Sequence, residues 1–321
     1  MAKAEQITSL IRSHFENNNE SFSTIALQLA AHEAKRGHNA VAQEIRSLVD
    51  KAKFTRVDSS PVQGELSELI SISQPEERFS DLVLQRDLHE RISRFQKEYH
   101  NKEKLYKYGL TNRRKILLVG PPGTGKTMTA RVLAHELYLP LCTILMDKVM
   151  TKYMGESSAK LRQVFTTIDK NRGVYLFDEF DAIGSGRGME NDVGEMRRIV
   201  NSFLQFIEQD NSESIIIAAT NNHKILDHAL FRRFDDILYY SIPDFESIYR
   251  LVMNNLGEFT FSQGSIKNVL HEASNLSHAE IVQSCKDAIK EAILNGKKKV
   301  SQKVLKQMIL ERKSAYKDNL K

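Results

Sequence analysis

The chain of 321 residues holds only two cysteines, far apart and outside any C-x-x-C spacing or histidine cluster, which argues against a disulfide framework, a zinc site or a redox centre. Cys142 and Cys285 lie in apolar or helical surroundings and are expected to be reduced structural thiols. No apolar run approaches the roughly 18 residues that a membrane-spanning helix needs. Met1 to Phe22 lacks the apolar centre of a secretory signal. No membrane insertion and a cytoplasmic location are the resulting expectations. H-E-x-x-H and G-x-S-x-G are also absent, so the chain carries no protease site of those kinds. No internal repeat or low-complexity tract interrupts a composition of 41% hydrophobic and 27% charged residues, ordinary for a globular protein.

The net charge of +5 invites a nucleic-acid reading, but its location weakens it. Lys286 to Lys321 holds eleven Lys or Arg against four Asp or Glu, so the rest of the chain is slightly acidic. In that tail Val300, Val304, Leu305, Met308 and Ile309 have helical spacing with a basic opposite face. Tyr316 is the one aromatic residue in that tail, too few to stack on successive bases, which favours a solvated helix face over a nucleic-acid partner.

Gly120-Pro121-Pro122-Gly123-Thr124-Gly125-Lys126-Thr127 fills every position of the phosphate-loop pattern G-x-x-x-x-G-K-[ST]. Its flanks agree with that reading, because Lys115 to Val119 reads as a short buried strand and Met128 to Leu137 has helical apolar spacing. The glycines allow backbone N–H groups to cradle phosphates at a helix N-terminus. Lys126 offers a cation to the β and γ oxygens, and the Thr127 hydroxyl is a ligand for Mg²⁺. ATP and Mg²⁺ are therefore expected, with Gly120 through Thr127 and the adjoining Met128 forming the nucleotide contact.

Four regions are expected along the chain. Residues 1–53 read as a three-helix bundle broken at Asn17-Asn18-Asn19 and at Gly37-His38-Asn39, suited to docking a partner because no titratable cluster converges there. Residues 54–81 read as a linker. Residues 82–243 alternate helices with short apolar strands at Ile116–Val119, Cys142–Leu145, Val174–Phe177, Ile215–Ala219 and Ile237–Ser241, a pattern for a parallel α/β sheet flanked by helices. Residues 244–321 read as a helical lid ending in the basic helix.

Val174 to Phe177 delivers Asp178-Glu179 at a strand end. Asp178 is placed to hold Mg²⁺ and Glu179 to orient and deprotonate water. Ile215 to Ala219 delivers Asn221, whose amide can meet the γ-phosphate and the same water. Each signal is weak alone; both follow an intact phosphate loop in chain order.

From about Phe79 to Leu294 the chain resembles an AAA (AAA+) ATPase module, most similar to the katanin and spastin branch and to small single-module bacterial members. The resemblance rests on GPPGTGKT at Gly120, FDEFDAIG from Phe177, AATN ending at Asn221 and LDHALFRRFD from Leu226 to Asp235. It implies a P-loop AAA+ fold and a homo-oligomeric ring, a hexamer, acting on a protein substrate. It also implies that Arg232 and Arg233 reach ATP bound in the neighbouring subunit; because the two are adjacent, the pattern does not choose between them. Thr151 to Ser157 resembles the family's first pore loop, with Tyr153 and Met154 as substrate grips; a buried core dipeptide is the other reading. A separate protease, including a subtilisin-like one, or an adaptor at the N-terminal bundle follows from the same resemblance. Leu276-Ser277-His278-Ala279-Glu280-Ile281 departs from the family's F-S-G-A-D-L by placing His278 where glycine is usual. Two alternatives to a threading motor remain: an ATP-switched module that controls a partner without translocation, and a nucleic-acid-remodelling ATPase.

Overall fold

The computed structural model describes residues 4–15, 19–54, 68–151, 155–181, 192–221, 231–260 and 266–317. The chain divides into two compact units, Met1–Ser60 and Pro61–Lys321. In the first, α1 (Ala4–Phe15), α2 (Asn19–Lys35) and α3 (Asn39–Phe54) pack in sequence order. Ala26, Ala30, Ala42 and Val49 are buried between them. Gly37, at φ 85°, adopts the left-handed conformation that ends α2, its N–H donating to the Ala34 carbonyl at 3.0 Å.

The second unit is built on one six-stranded sheet. Its strands are β1 (Ile70–Ser73), β2 (Lys115–Val119), β3 (Leu141–Ile144), β4 (Val174–Phe177), β5 (Ile215–Thr220) and β6 (Asp236–Tyr239), in the spatial order β1-β3-β4-β5-β2-β6. Every neighbouring pair is parallel except β1 with β3, where Ile70 faces Ile144 and Ser73 faces Leu141. The five strands expected from the sequence are all present. Residues 70–73, placed by the sequence within a linker, instead form the antiparallel edge strand. A four-residue run with three of its residues exposed carries little of the apolar continuity that marks a buried strand.

The helices preceding and within this sheet are α4 (Arg86–His100), α5 (Lys102–Tyr106), α6 (Lys126–Glu136), α7 (Met146–Val149), α8 (Glu156–Lys170) and α9 (Asp192–Gln209). The central strands are buried along their whole length, β4 and β5 at every residue, as expected of parallel strands covered on both faces. One face packs on α8 and α9 through Phe165, Phe177, Phe180 and Phe203, with Phe177 and Phe203 rings 5.1 Å apart and Phe180 and Phe203 4.5 Å apart. Removing one of these rings costs about 3–5 kcal/mol. Phe177 and Phe180 lie on either side of Asp178-Glu179, so the packing that stabilises the sheet also fixes the two carboxylates at its edge.

After the sheet come α10 (Phe245–Leu256), α11 (Lys267–Glu272), α12 (His278–Leu294) and α13 (Gln302–Lys317). They share their own core, in which Leu251, Val252, Leu270, Ile281, Cys285 and Leu305 are buried. Val83, from the segment before α4, inserts into that core, and the Arg250 guanidinium donates to the Leu84 carbonyl at 2.7 Å. These contacts fasten the lid beside the sheet's C-terminal edge. Cys142 and Cys285 are both buried and free. Burial pushes the Cys142 thiol up to about 11 and the Cys285 thiol up to about 12, leaving neither with the thiolate character that reactivity requires. Among the described residues no helix is long and apolar enough to cross a membrane.

Candidate active site

The chain leaves β2 for β3, three strands away, and returns through β5 and β6 to flank β2 on both sides. That change of direction opens a crevice at the carboxyl end of β2, where open α/β sheets bind ligands. The phosphate loop fills it. Its backbone depends on glycine at two places in particular. Gly125, at φ 101°, is the left-handed residue that starts α6. Gly123, at φ 71°, passes so close to the lid that an added Cβ would lie 2.7 Å from Ser277 Oγ. Thr124, fully buried, donates from Oγ1 to the Pro121 carbonyl at 2.8 Å and locks the turn.

Lys126 is buried, and its ammonium meets three oxygens: the Gly120 carbonyl at 2.7 Å, the Pro121 carbonyl at 2.8 Å and Asn221 Oδ1 at 2.9 Å. Burial holds its pKa below the ordinary lysine value, against the opposing pull of Asp178 and Asp181. Thr127 Oγ1 donates to Asp178 Oδ2 at 2.7 Å. The hydroxyl and carboxylate thus converge as a pair of hard oxygen donors, a set that fits Mg²⁺. Glu179 is exposed on the cleft wall at φ 50°, a left-handed conformation uncommon for any residue but glycine and frequent where function fixes the backbone. Its N–H donates to Asp178 Oδ1 at 3.0 Å.

Asn221 arrives at the end of β5. Asp181 steadies it, with Oδ1 accepting from the Asn221 N–H and from Thr220 Oγ1, both at 3.3 Å. Sequence reasoning missed Asp181, although its place two residues after Glu179 in the run from Phe177 was the available signal. Tyr240 was missed as well: its buried hydroxyl donates to Thr129 Oγ1 at 2.6 Å, tying β6 to the first turn of α6.

A cleft of about 980 Å³ gathers Pro122 through Met128, Asp178, Glu179 and Asn221. Leu82 and Val83, Asn254 and Asn255 of α10, and His278, Ala279 and Val282 of α12 complete it from the side of the lid. This volume suits a nucleotide-sized ligand, with a cationic and hydroxylic end at Lys126 and Thr127 and a more apolar end beneath the lid. Gly120 and Pro121 stand behind the lining and present their carbonyls to Lys126. Arg232 and Arg233 are not among the residues lining the cleft. Arg232 is exposed, while Arg233 pairs with Glu208 of α9 at 3.1 Å. Tyr153 and Met154 lie outside the described residues.

The family profile described as "ATPase family associated with various cellular activities (AAA)" matches residues 116–242, the span from β2 past β6. An uncharacterized AAA family ATPase of Sinorhizobium fredii is 30% identical over 311 residues, covering 94% of this chain and 93% of the relative. The proteasome-activating nucleotidase of Methanococcus vannielii is 31% identical over 219 residues, 66% of this chain and 54% of the relative. The ATP-dependent zinc metalloprotease FtsH of Helicobacter pylori is 29% identical over 267 residues, 78% of this chain and only 42% of that longer protein. With the likeness to the Sinorhizobium protein running nearly end to end around this cleft, the chain belongs to the AAA family of ATPases, and its enzymatic activity is the hydrolysis of ATP.

Proposed function

We propose that the chain is the subunit of a homo-oligomeric ring, a hexamer, that uses ATP hydrolysis to remodel or thread protein substrates. The observation that carries the nucleotide part is the convergence of Lys126, the Thr127–Asp178 pair, Glu179 and Asn221 on one cleft. Lys126 binds the β and γ phosphate oxygens, exchanging some of its present carbonyl partners for charged ones. Thr127 and Asp178 would hold Mg²⁺, which when bound neutralises phosphate charge. Glu179 takes a proton from the water whose oxygen bonds to the γ-phosphorus, while the bond from that phosphorus to the β–γ bridging oxygen breaks and ADP leaves. Asn221 orients this water and the γ-phosphate.

Arg232 or Arg233 completes the neighbouring site by offsetting charge on the transferred phosphoryl group. Arg232 is the better candidate, since Arg233 is already engaged with Glu208 of its own subunit. The forms of the motifs at Gly120, Phe177 and Leu226 support reading the chain as most similar to the katanin and spastin branch. Protein processing is favoured over a purely regulatory switch by Tyr153-Met154, an aromatic and a thioether ahead of Gly155 that can hold varied side chains without demanding a sequence. The names of the nucleotidase and protease relatives point the same way, and the N-terminal helices are the proposed docking site for an adaptor or a separate protease.

Tyr153→Ala tests the processing role. Loss of a gripping ring costs about 1–3 kcal/mol in substrate binding, so basal ATP hydrolysis should stay within a few-fold of normal while processing collapses. A stable, hydrolysing variant that still processes protein normally would refute the threading reading. Loss of stability by about 3–5 kcal/mol together with ATPase activity would identify Tyr153 as a core residue instead.

A further inference from the structure

Tyr240 meets both ends of the phosphate loop, and none of the roles above uses it. It follows β6 directly, and its N–H donates to the Val119 carbonyl at 2.7 Å. Its own carbonyl oxygen stands so near Gly120 that a Cβ added there would collide with it. The side chain reaches the other end of the loop. Its hydroxyl donates to Thr129 Oγ1 at 2.6 Å, and Thr129 Oγ1 donates to the Gly125 carbonyl at 3.0 Å.

The direction of both bonds is fixed. A carbonyl only accepts, so the single hydroxyl hydrogen of Thr129 goes to Gly125, and the Tyr240 hydroxyl supplies the hydrogen of the other bond. Burial pushes the Tyr240 phenol well above the ordinary tyrosine value, so the donor keeps its hydrogen at neutral pH. Thr129 is fully buried and Tyr240 nearly so. Water therefore does not compete for either hydroxyl, and each bond in such a chain strengthens the next.

Gly125 carries the consequence. It is the left-handed residue before α6, and its carbonyl accepts from the Thr129 N–H at 2.9 Å as well as from Oγ1. The N–H bond alone closes the first turn of the helix, so the hydroxyl chain is an additional restraint on the same peptide. In a planar trans peptide the C=O and N–H point in opposite directions. Holding the Gly125 carbonyl toward Thr129 thus aims the Lys126 N–H out of the helix start and into the cleft that Lys126 lines. A phosphate arriving there meets an amide already oriented, with less ordering left to be done at the moment of binding.

We propose that Tyr240, acting through Thr129, is a positioning residue for the phosphates: it fixes the Gly125–Lys126 peptide so that the Lys126 amide is set for a phosphate oxygen before nucleotide binds. The proposal rests on the reading of the Lys126 cleft as the ATP site and adds to it a residue outside the cleft lining.

Calorimetric titration of the full chain with ADP and with pyrophosphate, beside thermal unfolding of the nucleotide-free protein, tests it. Tyr240→Phe keeps the ring and removes only the hydroxyl. It should weaken ADP and pyrophosphate by the same factor of about ten, equivalent to about 1.4 kcal/mol. Thr129→Val should do the same, and the double variant should bind no more weakly than the poorer single one, because both interrupt one chain of bonds. Thr129→Ser keeps the hydroxyl and should recover most of the affinity. A bond that serves stability alone gives a different pattern, a lower unfolding temperature with ADP affinity kept. ADP affinity within twofold of wild type in Tyr240→Phe or Thr129→Val, or a loss for ADP that pyrophosphate does not share, overturns the proposal while leaving the ATP site intact. Undiminished ADP binding by Lys126→Ala would instead overturn the assignment of the phosphate site on which it stands.

Discussion

The Ala279 N–H donates to the Gly123 carbonyl at 3.0 Å, a backbone contact that joins the first turn of the lid helix α12 directly to the phosphate loop. Movement of the lid is therefore felt at the nucleotide without an intervening side chain. The same approach explains Gly123, whose added Cβ would lie 2.7 Å from Ser277 Oγ in a backbone conformation at φ 71°.

Gly123→Ala should strain the loop and push back the lid. A destabilisation of about 1–3 kcal/mol is expected from a non-glycine residue in this conformation, with a larger proportional loss in nucleotide affinity. Thermal unfolding with and without ADP reads both. An unchanged stabilisation by ADP would show that the loop and lid separate without consequence.

Thr127 Oγ1 and Asp178 Oδ2, 2.7 Å apart, are expected to act together on Mg²⁺. Thr127→Val and Asp178→Asn should each lower the hydrolysis rate by about 100-fold or more, the scale of removing one group that stabilises developing charge. Chelation of divalent ions should abolish turnover in the wild type. Because both variants act on one ion, the double variant should be little worse than the poorer single one. Additive losses would separate the two residues.

Arg232→Ala should reduce hydrolysis by assembled protein and be rescued by mixing with Glu179→Gln subunits, since a mixed ring can set a wild-type Arg232 against a neighbour's competent Glu179. Arg233 pairs with Glu208 at 3.1 Å, an exposed ion pair worth about 0–1 kcal/mol, so Arg233→Ala and Glu208→Ala should resemble one another and give smaller losses. Rescue of Arg233→Ala alone, with assembly verified by light scattering, would exchange the two roles.

The parts of this site legible in the sequence were those whose chemistry fixes residue type and spacing together. Lys126 and Thr127 follow from the loop pattern, and Asp178-Glu179 and Asn221 follow from apolar runs that end in polar residues. The strands β4 and β5 were readable for the same reason, being buried at every position. β1 was not, because an edge strand with three of four residues exposed looks like loop. Neither could the alternation of residue types show that Asp181 steadies Asn221 or that Tyr240 reaches Thr129, since those are contacts between segments 39 or more residues apart. His278 was visible only as a departure from a pattern; its unpartnered nitrogen appears once the lid is folded over the loop.

The central claim, that this cleft hydrolyses ATP with separate groups for binding and for water activation, is tested most directly by measuring ATP affinity and turnover on the same preparations of wild type, Lys126→Ala and Glu179→Gln. Lys126→Ala should lose both. Glu179→Gln should bind ATP as tightly as wild type while turnover falls by about 100-fold or more, within the range that general-base catalysis supplies. Glu179→Gln that hydrolyses ATP at a substantial fraction of the wild-type rate, or that loses ATP binding as fully as Lys126→Ala, would contradict the account.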